Sequence, residues 1–431
     1  MALCATLAVL RNLEQHLSWT VFLLTAGTCG LLWIGRRLEA VHAPTVALLG
    51  IALLMRLPLL TLPPTLSDDI LRYLWDGRVA AAGQNPYALA PEAAELAPLR
   101  DDLWQALPHR QVPTVYPPLA VGLFSIAARL PASQQVLKGA LAGADLLAAW
   151  GLIAIARRRH WPVARVVLFA WNPLLALESA GMGHIDALGV AATVAVVAAL
   201  VGPRRDGRAA PLAAAAGILA KLAPVAAVPM WGRQSGRPWR FVLLAGGTSL
   251  VAFAPVLLAT GGPPPGWLTY GVSWEFNGPL FEPLWRLVDR LGVAAGLHHL
   301  LDLVKAGTGH HEGWNRLYPW IYPKLIAKTL LALLMGLAVW RSWRRPDPVR
   351  GTAELFAALL LCSATFYPWY ITWMMPWAAL LRRHSWLLLS ALLPLSYLPQ
   401  FSNLPLMPWL FAAIWGPFFL LEIHRRWSST G

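Results

Sequence analysis

The chain has 431 residues, 57% of them hydrophobic and 13% charged, with a net charge of +14. Soluble domains carry about 25% charged residues, so the composition excludes an ordinary soluble globule and indicates a polytopic membrane protein. The positive balance does not argue for nucleic acid, because Lys and Arg fall in short runs between apolar segments, where they mark the cytoplasmic side. Met1–Leu10 is apolar without a basic stretch before it, so no cleavable signal peptide is expected. Cys4, Cys29 and Cys362 are spaced for neither a metal nor a disulfide framework.

Spans need about 20 apolar residues. Trp19–Gly35 is the first, closed by Arg36-Arg37, and Ala43–Leu62 returns to the outer face. The polar stretch from Pro63 cannot span. Tyr116-Pro117-Pro118 leads into an apolar run to Leu130 that is short for a crossing. A crossing there would put Arg157–Arg159 outside, so the run is expected to be re-entrant or interfacial. Val136–Ala156 then goes in, and Val163–Glu178 goes out with a break at Trp171-Asn172-Pro173. Ala187–Val201 goes in. Pro211–Trp231, interrupted by Lys221 and Pro224 and flanked by arginines on both sides, reads as a hairpin of two short helices. Phe241–Ala259 goes out, and an amphipathic piece is expected near Leu280–Val304. Trp320–Trp340, Leu355–Phe366, Ile371–Leu381, Trp386–Pro399 and Met407–Ile423 complete the chain. The expected architecture is one all-α domain over residues 1–431, a transmembrane bundle of about 11–13 membrane helices. Its outer loops lie near residues 63–135, 178–186 and 260–319, and the first bears amphipathic helices. No inverted repeat of the transporter kind is present.

The stretch Ser67–Pro91, SDDILRYLWDGRVAAAGQNPYALAP, gathers Asp68, Asp69, Arg72 and Asp76 at the start of a helix beside lipid. Ser67 has the chemistry of an N-cap, and the two acids fall at the positive helix end. Helical spacing puts Asp69, Arg72, Tyr73 and Asp76 on one face. Gly83 ends the helix and Asn85-Pro86 turns the chain. A capped surface helix is the plain alternative.

Several motifs follow in order: Asn85-Pro86-Tyr87, Tyr116-Pro117-Pro118-Leu119, Trp171-Asn172-Pro173, Gly183-His184-Ile185-Asp186, Lys221-Leu222-Ala223-Pro224 and Tyr367-Pro368-Trp369-Tyr370. With the Asp68-Asp69 pair ahead of them, the chain resembles the GT-C superfamily of integral-membrane glycosyltransferases. It is most similar to the polyprenyl-phosphate-mannose-dependent mannosyltransferases of glycosyltransferase family 87, the phosphatidylinositol mannosyltransferase-like enzymes. GPI mannosyltransferase I is a more distant likeness. The motifs thin out after about Trp231, and GHID stands where the family pattern has GHND. The resemblance implies a multi-pass protein of the bacterial cytoplasmic (inner) membrane with its active site outside. It implies a first-loop Asp as base and a lipid-phosphate sugar as donor, and spacing back from Asn-Pro-Tyr favours Asp69 over Asp68.

Such a transferase moves a hexose, here expected to be mannose, to a lipid or glycan acceptor with inversion. A carboxylate must take the acceptor proton, and cations must meet the leaving phosphate. Asp69 is the expected base and Asp68 the second candidate, with helix-end capping as the other role for each. Arg72, Tyr73, Tyr116, His184, Asp186 and Lys221 are the expected substrate-binding residues. Arg72 has a plain salt bridge as its alternative, His184 simple solvation, and Lys221 snorkelling or a partner. Arg286, His310, His311, Lys324 and Lys328 are further candidates for the phosphate. Tyr367, Trp369 and Tyr370 are read as interface-belt residues ahead of sugar platforms. No cofactor is expected, and a divalent metal is optional. The non-enzyme alternative is a transporter or flippase, which would favour mid-span charges and repeated halves; a ligase moving a whole lipid-linked glycan is a third reading.

Overall fold

The computed structural model describes residues 1–38, 44–309, 311–401 and 407–428. It is helical throughout, and among the described residues the only β pairing is a pair of isolated bridges from Phe276 and Asn277 to Thr365. Among the described residues, four helices are long and apolar enough to cross a membrane: Leu17–Gly35, Ser133–Arg158, Pro238–Thr260 and Pro323–Trp343. A fifth is a pair, Val163–Ala170 and Pro173–Met182, bent by 55°. The other expected crossings are met as shorter or broken helices, among them Thr45–Thr61 and Asp186–Val201. The second expected span begins at Ala43, which lies outside the described residues.

The breaks follow from local chemistry. At the bend, the Asn172 side chain accepts from the Leu174 and Leu175 N–H groups at 3.0 and 3.3 Å, and Pro173 opens the next helix without needing a donor. The Pro211–Trp231 region divides into the helices Ala209–Ala220 and Val228–Gln234 around extended backbone at Lys221. Asp206, ahead of the first, pairs with Arg237, beyond the second, at 3.1 Å. The two ends of the excursion therefore lie together, and Lys221 is at its tip, the hairpin expected. Arg159 on Asp347 at 2.8 Å and Arg233 on the Trp343 carbonyl at 2.8 Å draw other basic clusters to that same end.

The acidic helix spans Asp69–Ala81, and its capping position is Asp68 rather than Ser67. The Ser67 hydroxyl still accepts from the Asp69 N–H, at 3.3 Å. Gly83 follows in left-handed backbone, φ 77°. The helix Pro118–Ala128 packs against it so closely that a Cβ on Gly77 would lie 2.3 Å from the Phe124 carbonyl oxygen. Eleven residues rise about 16 Å, roughly half the hydrocarbon thickness. Helices Pro265–Ser273, Phe281–Arg290 and Val293–Thr308 occupy the stretch 260–319, expected from the sequence to be the third outer loop. That region is also docked at glycines: a Cβ on Gly266 would meet the Pro113 carbonyl oxygen at 2.5 Å, and one on Gly278 the Ser363 and Ala364 carbonyl oxygens at 2.8 Å. Within the bundle, Arg56 is buried on Asp145 and donates to the Ala52 and Ala170 carbonyls at 2.8 and 2.9 Å.

Candidate active site

A cavity of about 660 Å³ opens beside the N-terminus of the acidic helix. Its polar wall is Ser67, Asp68, Asp69 and Arg72, faced by Asp186 and Lys221. The helix Pro265–Ser273 and the residue after it present Trp267, Tyr270, Gly271 and Trp274, one stripe at helical spacing. The membrane helix Pro323–Trp343 presents another, Lys328, Leu331, Ala332 and Met335. Tyr367, Trp369, Tyr370 and Trp373 close the cavity, together with Tyr116.

Asp69 is organised from behind. Its Oδ2 is 3.4 Å from Nδ1 of His184, and Nε2 of the same ring is 3.2 Å from Glu178 Oε2. His184 and Glu178 are buried, and the Asp69 side chain is one-third exposed. The imidazole lies flat on Trp369, centroids 3.9 Å apart at 13°, and Trp369 is stacked in turn on Tyr367 at 4.5 Å. The hydroxyl of Tyr397 donates to Glu178. Burial alone would lower the His184 pKa, but Asp69 and Glu178 hold the proton and raise it to about 9. Burial alone would likewise raise Asp69; the contact with His184, aided by the Lys221 charge, holds it below the ordinary carboxylate range. Asp68 goes the other way, raised by desolvation and by the Asp69 charge beside it. The environment thus separates the two adjacent acids.

The cations are anchored by carboxylates. Lys221 Nζ is 2.9 Å from Asp186 Oδ2 and 5.5 Å from the Tyr370 ring centre, and Trp373 Nε1 donates to Asp186 Oδ1 at 2.6 Å. Tyr270 and Tyr370 join through their hydroxyls. Lys328 is held by Glu275 at 3.0 Å and donates to the Val272 carbonyl at 2.8 Å. Arg72 pairs with Asp76 at 3.0 Å rather than with Asp69, and it donates to the His109 carbonyl at 3.1 Å. It thus forms a salt bridge, with Asp76, while lining the cavity wall.

Of the expected site residues, Asp68, Asp69, Arg72, Tyr116, Asp186 and Lys221 line the cavity. His184 stands directly behind Asp69. Tyr73 is set back from the wall, buried between Tyr116 and Phe124 with ring centres 4.7 and 4.6 Å away. The lone cation Lys221 has its partner in Asp186, so it need not snorkel. Among the further phosphate candidates, Lys328 lines the cavity, Lys324 is held on Glu275 at 2.5 Å, Arg286 pairs with Glu282 at 3.1 Å, and His311 is exposed. His310 lies outside the described residues. The belt reading of Tyr367, Trp369 and Tyr370 is corrected: all three line the cavity, and Trp369 is buried against His184. Sequence reasoning left Glu178, Tyr397, Tyr270 and Trp274 out of the site. For the last two the helical stripe is a usable signal; for the first two nothing local is. Among the described residues, no group of three or more His, Cys, Asp and Glu side chains is placed to hold a metal ion.

A multi-pass helical bundle, with an ionised acid at the wall of an aromatic-lined cavity that also carries cations, has the make-up of a membrane-embedded glycosyltransferase. Comparison with known families makes this specific. The family described as "Alpha-(1->6)-mannopyranosyltransferase, N-terminal domain" matches residues 3–235, more than half of the chain, and the chain belongs to it. It is a mannosyltransferase of the GT-C kind, and the match ends where the sequence motifs thin out. The alpha-(1->6)-mannopyranosyltransferase A of Mycobacterium tuberculosis (strain ATCC 25618 / H37Rv) is 24% identical over 385 residues, 85% of this chain and 71% of that protein. No solved structure matches the chain.

Proposed function

We propose that the protein transfers mannose from a polyprenyl-phosphate mannose to a hydroxyl of a lipid or glycan acceptor, at the extracytoplasmic face of the bacterial inner membrane, with inversion. The observation that carries the reading is Asp69, kept ionised by His184 at the wall of a cavity that also holds Lys221 and Lys328. The family description supports an alpha-(1->6) product, for which the attacking group is a primary hydroxyl. In the transfer step Asp69 accepts the hydroxyl proton and the acceptor oxygen bonds to the anomeric carbon. The bond from that carbon to the phosphate oxygen breaks, and the electron pair leaves with the phosphate. One carboxylate on the acceptor side suffices for inversion. Lys221, Arg72 and Lys328 meet the charge on the monophosphate, with no metal called on in this reading.

The donor's amphiphilic shape supports the same assignment. Lys328 heads the stripe that continues through Leu331, Ala332 and Met335, a run of about 10 Å down a membrane helix. A phosphate at the cation and a prenyl chain along the apolar residues match that order. The positive-inside rule supports this orientation, since the basic clusters share the end away from the hairpin tip at Lys221. In a cysteine-free background, Asp68→Cys is expected to react with an impermeant thiol reagent in intact cells and Arg158→Cys is not; the reverse pattern overturns the orientation.

The central test is Asp69→Asn, which keeps the size of the side chain and removes its basicity. With a synthetic short-chain polyprenyl-phosphate mannose and a mannoside acceptor, the rate is expected to fall about 10²–10⁴-fold with donor affinity unchanged. A rate within about threefold of wild type removes Asp69 as the base.

A further inference from the structure

Glu178 takes no part in the transfer step above, yet it is buried one side chain away from the base. It sits on the π-helical turn Leu177–Met182, the kind of local distortion that concentrates at functional sites. Its Oε2 faces one nitrogen of His184 at 3.2 Å, while the other nitrogen faces Asp69 at 3.4 Å. A neutral imidazole has one donor and one acceptor nitrogen, so either tautomer would turn a lone pair toward a carboxylate. Only the doubly protonated ring suits both neighbours.

We propose that Glu178 is a positioning residue for mannosyl transfer, acting through His184: it keeps the imidazole doubly protonated and oriented so that Asp69 stays ionised and aimed at the acceptor. The proposal rests on Asp69 being the base. Two further contacts hold the device in place, the Tyr397 hydroxyl on Glu178 and the Trp369 ring stacked on His184. The His184 pKa near 9 agrees with this geometry.

The other charges around His184 are each accounted for. Asp186, two residues on, is held by Lys221 and Trp373. Asp145 lines the small void behind the ring with Ser179 and is paired with Arg56. Lys138 packs on Gly183, but its ammonium donates to the Leu62 carbonyl at 2.5 Å. Asp68 is the remaining acid close enough to be felt, and its raised pKa is set chiefly by desolvation and Asp69.

The test is the pH dependence of kcat and KM for wild type, Glu178→Gln, Glu178→Asp and Asp69→Asn, assayed with the same synthetic donor and mannoside. The His184 pKa is raised, so the active protonated form persists through neutral pH and wild-type kcat falls as the pH rises through about 9. In Glu178→Gln the ring has lost one of its two carboxylates, and the alkaline limb is expected about one pH unit lower or more, with KM unchanged. Glu178→Asp, which shortens the side chain by one methylene and draws the carboxylate back from His184 Nε2, is expected to shift the limb in the same direction by less. A wild-type limb in Glu178→Gln, with Asp69→Asn inactive, overturns this proposal alone. Retained activity in Asp69→Asn overturns the base assignment and this proposal with it. Should Glu178→Gln fail to fold, Glu178→Asp decides: a downward shift supports the proposal and an unshifted limb overturns it.

Discussion

Two buried ionic clusters lie in the same half of the chain and differ in one respect. Arg56 meets Asp145 and two backbone carbonyls, and Asp145 also accepts from Ser179 at 3.2 Å, so the group is closed on itself. The Asp69–His184–Glu178 row is held by ion-pair contacts and, at its inner end, by the Tyr397 hydroxyl, and its outer carboxylate reaches a cavity of about 660 Å³. A closed cluster in an apolar bundle satisfies charge that would otherwise be stranded there. A row open at one end holds a carboxylate ready for a reactant. Burial of charge is common to both; access separates them.

The largest effect that would break this contrast is on stability. Arg56→Met strands Asp145 and is expected to destabilise the protein by about 3–5 kcal/mol, read as a lower thermal midpoint in detergent, while turnover per folded molecule holds. The double variant Arg56→Met with Asp145→Leu should recover most of that loss, because an apolar pair can replace a closed ion pair. If Arg56→Met instead abolishes turnover in folded protein, the closed cluster belongs to the site and the contrast fails.

Next comes a cation at the open end. Lys221→Met removes one charge-assisted contact worth about 1.5–3 kcal/mol, so affinity for the synthetic donor is expected to drop roughly 10–150-fold. An unchanged donor affinity would assign Lys221 to holding Asp186 alone.

The smallest effect is the pH dependence of stability. The folded His184 pKa is about 9, above its ordinary value of 6.5, so its contribution is complete below about 6.5 and is lost as the pH rises through about 9. Asp69, held low, has the opposite sign: its contribution is present above the ordinary carboxylate range and is lost as the pH falls through its depressed value. His184→Gln should therefore flatten the alkaline decline of the thermal midpoint. A decline as steep as in wild type would assign it to another group.

Much of this site is legible in the sequence because its parts are local. The acidic pair before a helix, the Asn-Pro break at Asn172-Pro173, and a lone Lys221 interrupting an apolar run each carry their own signal. The partners are what sequence leaves out. Glu178 reads as the acidic end of an apolar run, and only folding brings it between His184 and Tyr397. Arg56 and Asp145 are 89 positions apart, and neither stands out locally. The Tyr367–Tyr370 segment misleads because an aromatic–Pro–aromatic run has the same composition at a lipid interface as on a cavity wall; stacking of Trp369 on His184 decides between them. The expected number of spans also exceeds the number of long helices. Hydropathy registers apolar length, and it does not register that an expected span such as Ile371–Leu381 is divided between the 3-10 turn Pro368–Trp373 and the short helix Met375–Leu381.

The glycine contacts at Gly77, Gly266 and Gly278 have a mechanical meaning. At each, one stretch of main chain rests on another with no side chain between them to act as a cushion. Gly77 joins the helix that carries Asp69 to its neighbour; Gly266 and Gly278 fasten the 260–319 stretch to two separate parts of the cavity wall. Joints of this kind behave like rivets, setting the spacing of the walls while the lining between them is filled by side chains. A substitution in the lining would change the cavity and keep the frame, whereas one added methyl group at a rivet would move a whole wall.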